Sequence, residues 1–111
     1  MKNILIVDDN LDDLQEMKAL LEKQKCVVRI ANNGIKALDY VLAEKFSVII
    51  IDIMMPTLSG YDLLRLMKER VKGKVKIIYA SVIPKKEVNM EGVDGFIQKP
   101  FSKQTLLKAI K

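Results

Sequence analysis

In Ser47-Val48-Ile49-Ile50-Ile51-Asp52 an unbroken apolar run follows a serine and stops at a carboxylate. A strand with one wet face alternates apolar and polar residues. A continuous Ile/Val run instead predicts a parallel strand buried on both sides, with helices above and below it. Similar runs occupy residues 3–7, 26–31, 75–80 and 94–98, and the run around Ile51 covers 47–51. Between them, apolar residues recur every three or four positions, so a strand-helix unit repeats five times. Asn10, Asn33, Ser59 and Ser102 precede four of the helical stretches, and each offers a side-chain oxygen to an orphan helix N–H. The stretch 84–92 is weaker. Val88 and Met90 are its only apolar pair, which predicts a short helix or a loop.

Composition narrows the chemistry. A chain of 111 residues fits one domain, residues 1–111, able to hide roughly two thirds of its unfolded surface. There is no histidine, which removes Ser-His and Cys-His nucleophile pairs, histidine zinc sites and a phosphohistidine made by this chain itself. The single Cys26 sits beside Val27 and Val28 and reads as an inert strand thiol. The apolar run Ile4–Val7 is too short for a signal-peptide core or a membrane span, so a cytoplasmic protein with no membrane partner is expected. Residues 1–64 carry 7 basic and 10 acidic groups, while 65–111 carry 12 and 4. No aromatic-interleaved basic motif accompanies this imbalance. A solvated lysine-rich surface is expected, and no directly bound nucleic acid.

An open doubly wound sheet places its ligands beyond the carboxyl ends of the strands. The residues at those ends include Asp8, Asp9, Asp52, Ser81 and Lys99. If the first and third strands are neighbours, three carboxylates converge, and a hard divalent cation relieves their repulsion. Oxygen ligands without His or Cys favour Mg²⁺. Lys99 and Ser81 add a cation and a hydroxyl, which is what a transferred phosphoryl group requires of its surroundings. Singly, each has a plainer reading: an Asp pair caps a helix, and a lone Asp, Ser or Lys at a strand end is solvated. Together, at the matching ends of four strands, they point to phosphoryl chemistry.

Leu5-Ile6-Val7-Asp8-Asp9, Asp52-Ile53-Met54-Met55-Pro56 with Gly60, Ser81, and Lys99-Pro100-Phe101 resemble the signature of response-regulator receiver domains over essentially the whole chain. The resemblance implies a flavodoxin-like (βα)5 three-layer sandwich with parallel strand order 2-1-3-4-5. It implies Asp52 as phosphoacceptor, Asp9 as a direct Mg²⁺ (or Mn²⁺) ligand, Asp8 as an outer ligand through water, and the Met54 carbonyl completing the set. It also implies that Lys99 pairs with the phosphoryl group, that Ser81 donates to it after transfer, and that the Lys99-Pro100 bond is cis. Phe96 takes the position of the aromatic that turns inward with Ser81 and reshapes the surface around the fourth helix, fifth strand and fifth helix. The implied partners are a histidine kinase or phosphotransfer protein and a downstream protein, with the chain a monomer or weak dimer. Its only chemistry is then its own phosphorylation and dephosphorylation.

The sequence departs from that pattern in three places, one of them Val82, which follows Ser81 where the family prefers a smaller residue and is expected to narrow the donor's access to the pocket. Ser81 and Lys99 are 18 positions apart, shorter than the family's usual spacing, which predicts a shortened fourth helix on the usual output face. Met54 and Ile83 are apolar where polar groups help position an attacking water, which predicts a long-lived phosphorylated state. Two rival functions fit less well. Phosphatases of the haloacid dehalogenase type need a second Asp two residues after the nucleophile, where Met54 stands. A nucleotide- or flavin-binding module needs phosphate loops that Gly34, Gly60, Gly73, Gly92 and Gly95 do not form.

Overall fold

The computed structural model describes residues 2–71 and 73–111. Five strands, β1 (Asn3–Val7), β2 (Val27–Ala31), β3 (Val48–Asp52), β4 (Lys76–Ser81) and β5 (Gly95–Gln98), form one parallel sheet in the order β2-β1-β3-β4-β5. Each strand lies within a residue or so of its apolar run. Four α-helices are present among the described residues: α1 (Leu11–Glu22), α2 (Gly34–Ala43), α3 (Gly60–Arg70) and α4 (Lys103–Ala109).

Successive side chains of a strand point to opposite faces, so each run feeds two cores. Ile4 and Ile6 of β1, with Val48 and Ile50 of β3, pack against Leu14, Met17 and Leu21 of α1 and Leu106 of α4. Leu5 and Val7, with Ile49 and Ile51, pack against Ala37 of α2 and Leu63 and Met67 of α3 on the other face. All five residues of β3 are buried, which is why its sequence shows no alternation.

The expected caps are all used. Asn10, Asn33, Ser59 and Ser102 accept from the backbone N–H groups of Asp13, Lys36, Asp62 and Thr105. These caps fix where each helix leaves the sheet edge, and therefore where the strand-end side chains stand.

The fourth crossover takes the loop side of the short-helix-or-loop expectation, and the shortened fourth helix is reduced to a single turn. The described residues between β4 and β5 hold no α-helix, only a single 3₁₀ turn at Lys85–Glu87, closed by Glu87 N–H to the Pro84 carbonyl (2.9 Å) and Val88 N–H to Lys85 (3.0 Å). Ile83, Val88, Met90 and Val93 lie partly buried against the α3-side core. Four scattered, partly buried apolar residues do not make a helical stripe, and Gly92 at φ +78° turns the chain back toward β5. No helix of the described residues is long and apolar enough to cross a membrane.

Candidate functional site

β1 and β3 are neighbours with Val7 opposite Ile51, so Asp8 and Asp52 stand side by side one residue further on. Asp8 stays in line with the sheet because its N–H donates to the Ala31 carbonyl (3.1 Å). Its Oδ1 accepts from Asn10 N–H (2.9 Å), which ties the carboxylate to the start of α1. Asp52 Oδ1 accepts from Met54 N–H (3.3 Å) in the loop that follows β3. Asp8 and Asp52 are buried and Asp9 is exposed, with one carboxylate oxygen of each lying within 4.8 Å of the other two. Gly60, at the start of α3, donates its N–H to the Ile53 carbonyl (2.8 Å). A Cβ there would sit 2.5 Å from the Asp52 carbonyl oxygen, so only glycine lets α3 approach the acceptor strand this closely.

Lys99 follows β5, and its N–H donates to the Ser81 carbonyl (2.8 Å). The Lys99-Pro100 bond is cis, as expected. From the sheet edge the lysine stem crosses the ends of β4 and β3. Its Nζ lies 2.6 Å from Asp8 Oδ2, 2.8 Å from Asp13 Oδ2 and 4.0 Å from Asp52 Oδ2. The lysine side chain is only 8% exposed, unlike the solvated lysines expected of the basic half.

The remaining expected residues stand nearby without joining the ion cluster. Ser81 ends β4 and is fully buried, but its Oγ accepts from Ile83 N–H (3.0 Å) within its own turn. The Met54 side chain is exposed. Phe96 sits half-buried on β5 opposite Tyr79, packed against the α3-side core rather than the carboxylates. Asp13 was not anticipated. In the sequence it reads as an acidic residue in the first turn of a helix, and only the packing of α1 against β1 brings it to Lys99.

Burial and the neighbouring Asp8 charge raise the Asp52 pKa from 3.8 to about 7, although Lys99 works in the opposite direction. Burial opposes the charge of Lys99, but hydrogen bonds to Asp13 and Asp8 and the charges of Asp8 and Asp52 outweigh it, so its pKa is raised. An all-oxygen donor set in which burial, and then the Asp8 charge, keep a proton on Asp52 up to about 7 fits a hard divalent cation, whose charge would offset both. The three carboxylates are a group that can hold a metal.

The response regulator receiver domain family matches residues 4–111. The chain belongs to that family. Its receiver fold is similar to that of a response regulator receiver domain protein from Methanospirillum hungatei (31% identity, TM-score 0.90, covering 99% of this chain and 90% of that one). It is also similar to a response regulator protein from Burkholderia pseudomallei whose crystal structure has a phosphorylated aspartic acid and a calcium ion (26% identity, TM-score 0.89, covering 100% and 67%). In sequence the receiver is 34% identical to Protein PilG of Pseudomonas aeruginosa over 97% of this chain and 84% of that protein. It spans about half the length of several other curated relatives. Receiver domains are signalling modules of two-component systems, phosphorylated by a kinase; a histidine kinase is the family's general partner.

Proposed function

We propose that residues 1–111 act as one receiver unit in which Asp52 accepts a phosphoryl group from the phosphohistidine of a histidine kinase or phosphotransfer protein. The observation that carries this reading is the convergence of Asp8, Asp9 and Lys99 on Asp52 at the ends of three strands. An oxygen of the Asp52 carboxylate attacks phosphorus as the donor's P–N bond breaks. The electron pair of that bond stays on the imidazole nitrogen, and an aspartyl phosphate remains. With acetyl phosphate as donor, a P–O bond breaks instead and acetate leaves with the pair.

Asp8, Asp9 and Asp52, with the Met54 carbonyl, would hold Mg²⁺ or Mn²⁺, which supplies positive charge to the phosphoryl oxygens during transfer. Lys99 meets an oxygen of the transferred group and fixes positive charge where negative charge accumulates. Ser81 gives up the Ile83 N–H contact and donates its hydroxyl proton to the phosphoryl group. Phe96 responds by repacking, so the output surface comprises the fourth crossover, β5 and α4. The expected fourth helix contributes only its 3₁₀ turn. Leu11, Met54 and Val82 stand exposed on the same strand-end edge and offer an apolar rim against which the donor packs.

On this reading the protein is not a turnover enzyme. It phosphorylates and dephosphorylates only itself, works in the cytoplasm as a monomer or weak dimer, and hands its signal to a downstream protein. Labelling with acetyl phosphate tests it. The wild-type protein should take up one phosphoryl group only with Mg²⁺ present, and Asp52→Asn should take up none. Equal labelling of Asp52→Asn, or labelling that ignores Mg²⁺, refutes the proposal.

A further inference from the structure

The Lys99 ammonium is shared by more carboxylates than the acceptor pocket needs. It is in hydrogen-bonding contact with Asp8 (2.6 Å) and Asp13 (2.8 Å), yet 4.0 Å from Asp52. Asp13 is not among the three carboxylates that can share a cation. It belongs to the first turn of α1, where its own N–H is held by the Asn10 side chain at 3.0 Å. The helix cap thus delivers to Lys99 a fixed negative charge from outside the acceptor's carboxylate group. With the lysine side chain 8% exposed, water screens this contact little.

We infer that Asp13 is a positioning residue, a clamp that holds the Lys99 ammonium off Asp52 until a phosphoryl group outcompetes it. This rests on the reading that Asp52 is phosphorylated. A phosphoryl group adds negative charge and three acceptor oxygens at Asp52, whereas Asp13 offers a single negative charge. Closing the 4.0 Å gap to charge-assisted hydrogen-bond distance draws Nζ toward Asp52 and away from Asp13. The phosphorylated state is therefore opposed by the contact it must break. Removing the Asp13 charge makes Lys99 available at the outset and favours the phosphoryl-bound state by about tenfold, the scale of one charge-assisted hydrogen bond.

The test compares wild type, Asp13→Asn, Asp13→Ser and Asp13→Glu. Beryllofluoride affinity in Mg²⁺ and the acetyl phosphate labelling rate are measured for each, with thermal unfolding confirming that each variant folds. Asp13→Asn and Asp13→Ser are expected to bind beryllofluoride about tenfold more tightly than wild type and to label faster. Asp13→Glu should restore wild-type behaviour. In a beryllofluoride-bound wild-type structure, Lys99 Nζ should lie beyond hydrogen-bonding reach of Asp13. Unchanged or weaker beryllofluoride binding by the neutral variants overturns the clamp while leaving the phosphoacceptor reading intact, and so does retention of the 2.8 Å contact in the complex. A wild-type protein that neither labels nor binds beryllofluoride removes the phosphoacceptor reading and the clamp together.

Discussion

Replacing Asp52 by asparagine should stabilise the metal-free protein, and the gain should grow with pH. In the unfolded chain an aspartate loses its proton near 3.8, whereas burial and the Asp8 charge keep the proton on folded Asp52 up to about 7. Between those values the unfolded state binds fewer protons, so stability falls as pH rises. The penalty is absent below about 3.8 and complete above about 7. Each pH unit of separation is worth 1.36 kcal/mol, so the whole interval amounts to about 4 kcal/mol. That is a large share of the roughly 5–15 kcal/mol that holds a domain of this size together. The asparagine of the variant has no proton to lose. Urea unfolding followed by circular dichroism in chelator, from pH 4 to pH 8, measures the difference directly. The advantage of Asp52→Asn over wild type is expected to be small at pH 4 and to climb toward about 4 kcal/mol at pH 8. A difference that stays flat across this range, or a wild type more stable than the variant at pH 8, refutes the account of Asp52 as a carboxyl held protonated by burial and the Asp8 charge.

Mg²⁺ should reverse that penalty: at pH 8 the wild-type free energy of unfolding rises on adding the ion, by about 2.7 kcal/mol at a concentration 100 times the dissociation constant, and Asp52→Asn gains clearly less. Equal gains would place the ion elsewhere. Gly60→Ala pushes a methyl group to 2.5 Å from the Asp52 carbonyl oxygen and 2.7 Å from Ile53 Cα, and backbone must move to receive it. The expected cost is roughly 1–3 kcal/mol, seen as a lowered melting temperature with slower acetyl phosphate labelling, and an unchanged melting temperature contradicts the close approach. Met54→Asn should shorten the lifetime of the phosphorylated protein, read as faster loss of label after the donor is removed. Equal decay in the two proteins would show that a polar group at position 54 does not help position the attacking water.

Much of this geometry was written locally. The isoleucines at 49 to 51 are continuous because both faces of β3 are covered, and Asn10, Asn33, Ser59 and Ser102 cap the helices they precede. The strand ends followed from these, and with them the places of Asp8, Asp9, Asp52 and Lys99. The order β2-β1-β3-β4-β5 rested on family resemblance, because no single strand encodes its neighbour. Asp13 was illegible for a related reason. Three residues after a cap, an aspartate has a sufficient local explanation at the positive end of a helix, and its contact with Lys99 joins groups 86 positions apart. The bond from Ile83 N–H to Ser81 Oγ depends on a turn whose conformation no short motif announces. The charge imbalance between the two halves proved partly structural, since the acidic half supplies Asp8, Asp13 and Asp52 to the one basic side chain, Lys99, that β5 carries to them.

The crossover without an α-helix bears on the order in which the molecule acquires its pocket. β5 is a four-residue edge strand, and residues 82–94 must close back on β4 before it can pair. With one 3₁₀ turn to restrict that segment, most of its chain entropy is surrendered at the moment of docking. β3, flanked by two strands and fully buried, carries no such burden. Amide protons along β5 should therefore exchange with solvent through shallower openings than those of Ile49 to Ile51. The carboxylates are thus built into the most protected part of the sheet, while the cation that balances them rides on its most easily released edge. Detachment of β5 would withdraw Lys99 from the acceptor without unfolding the strand that bears it.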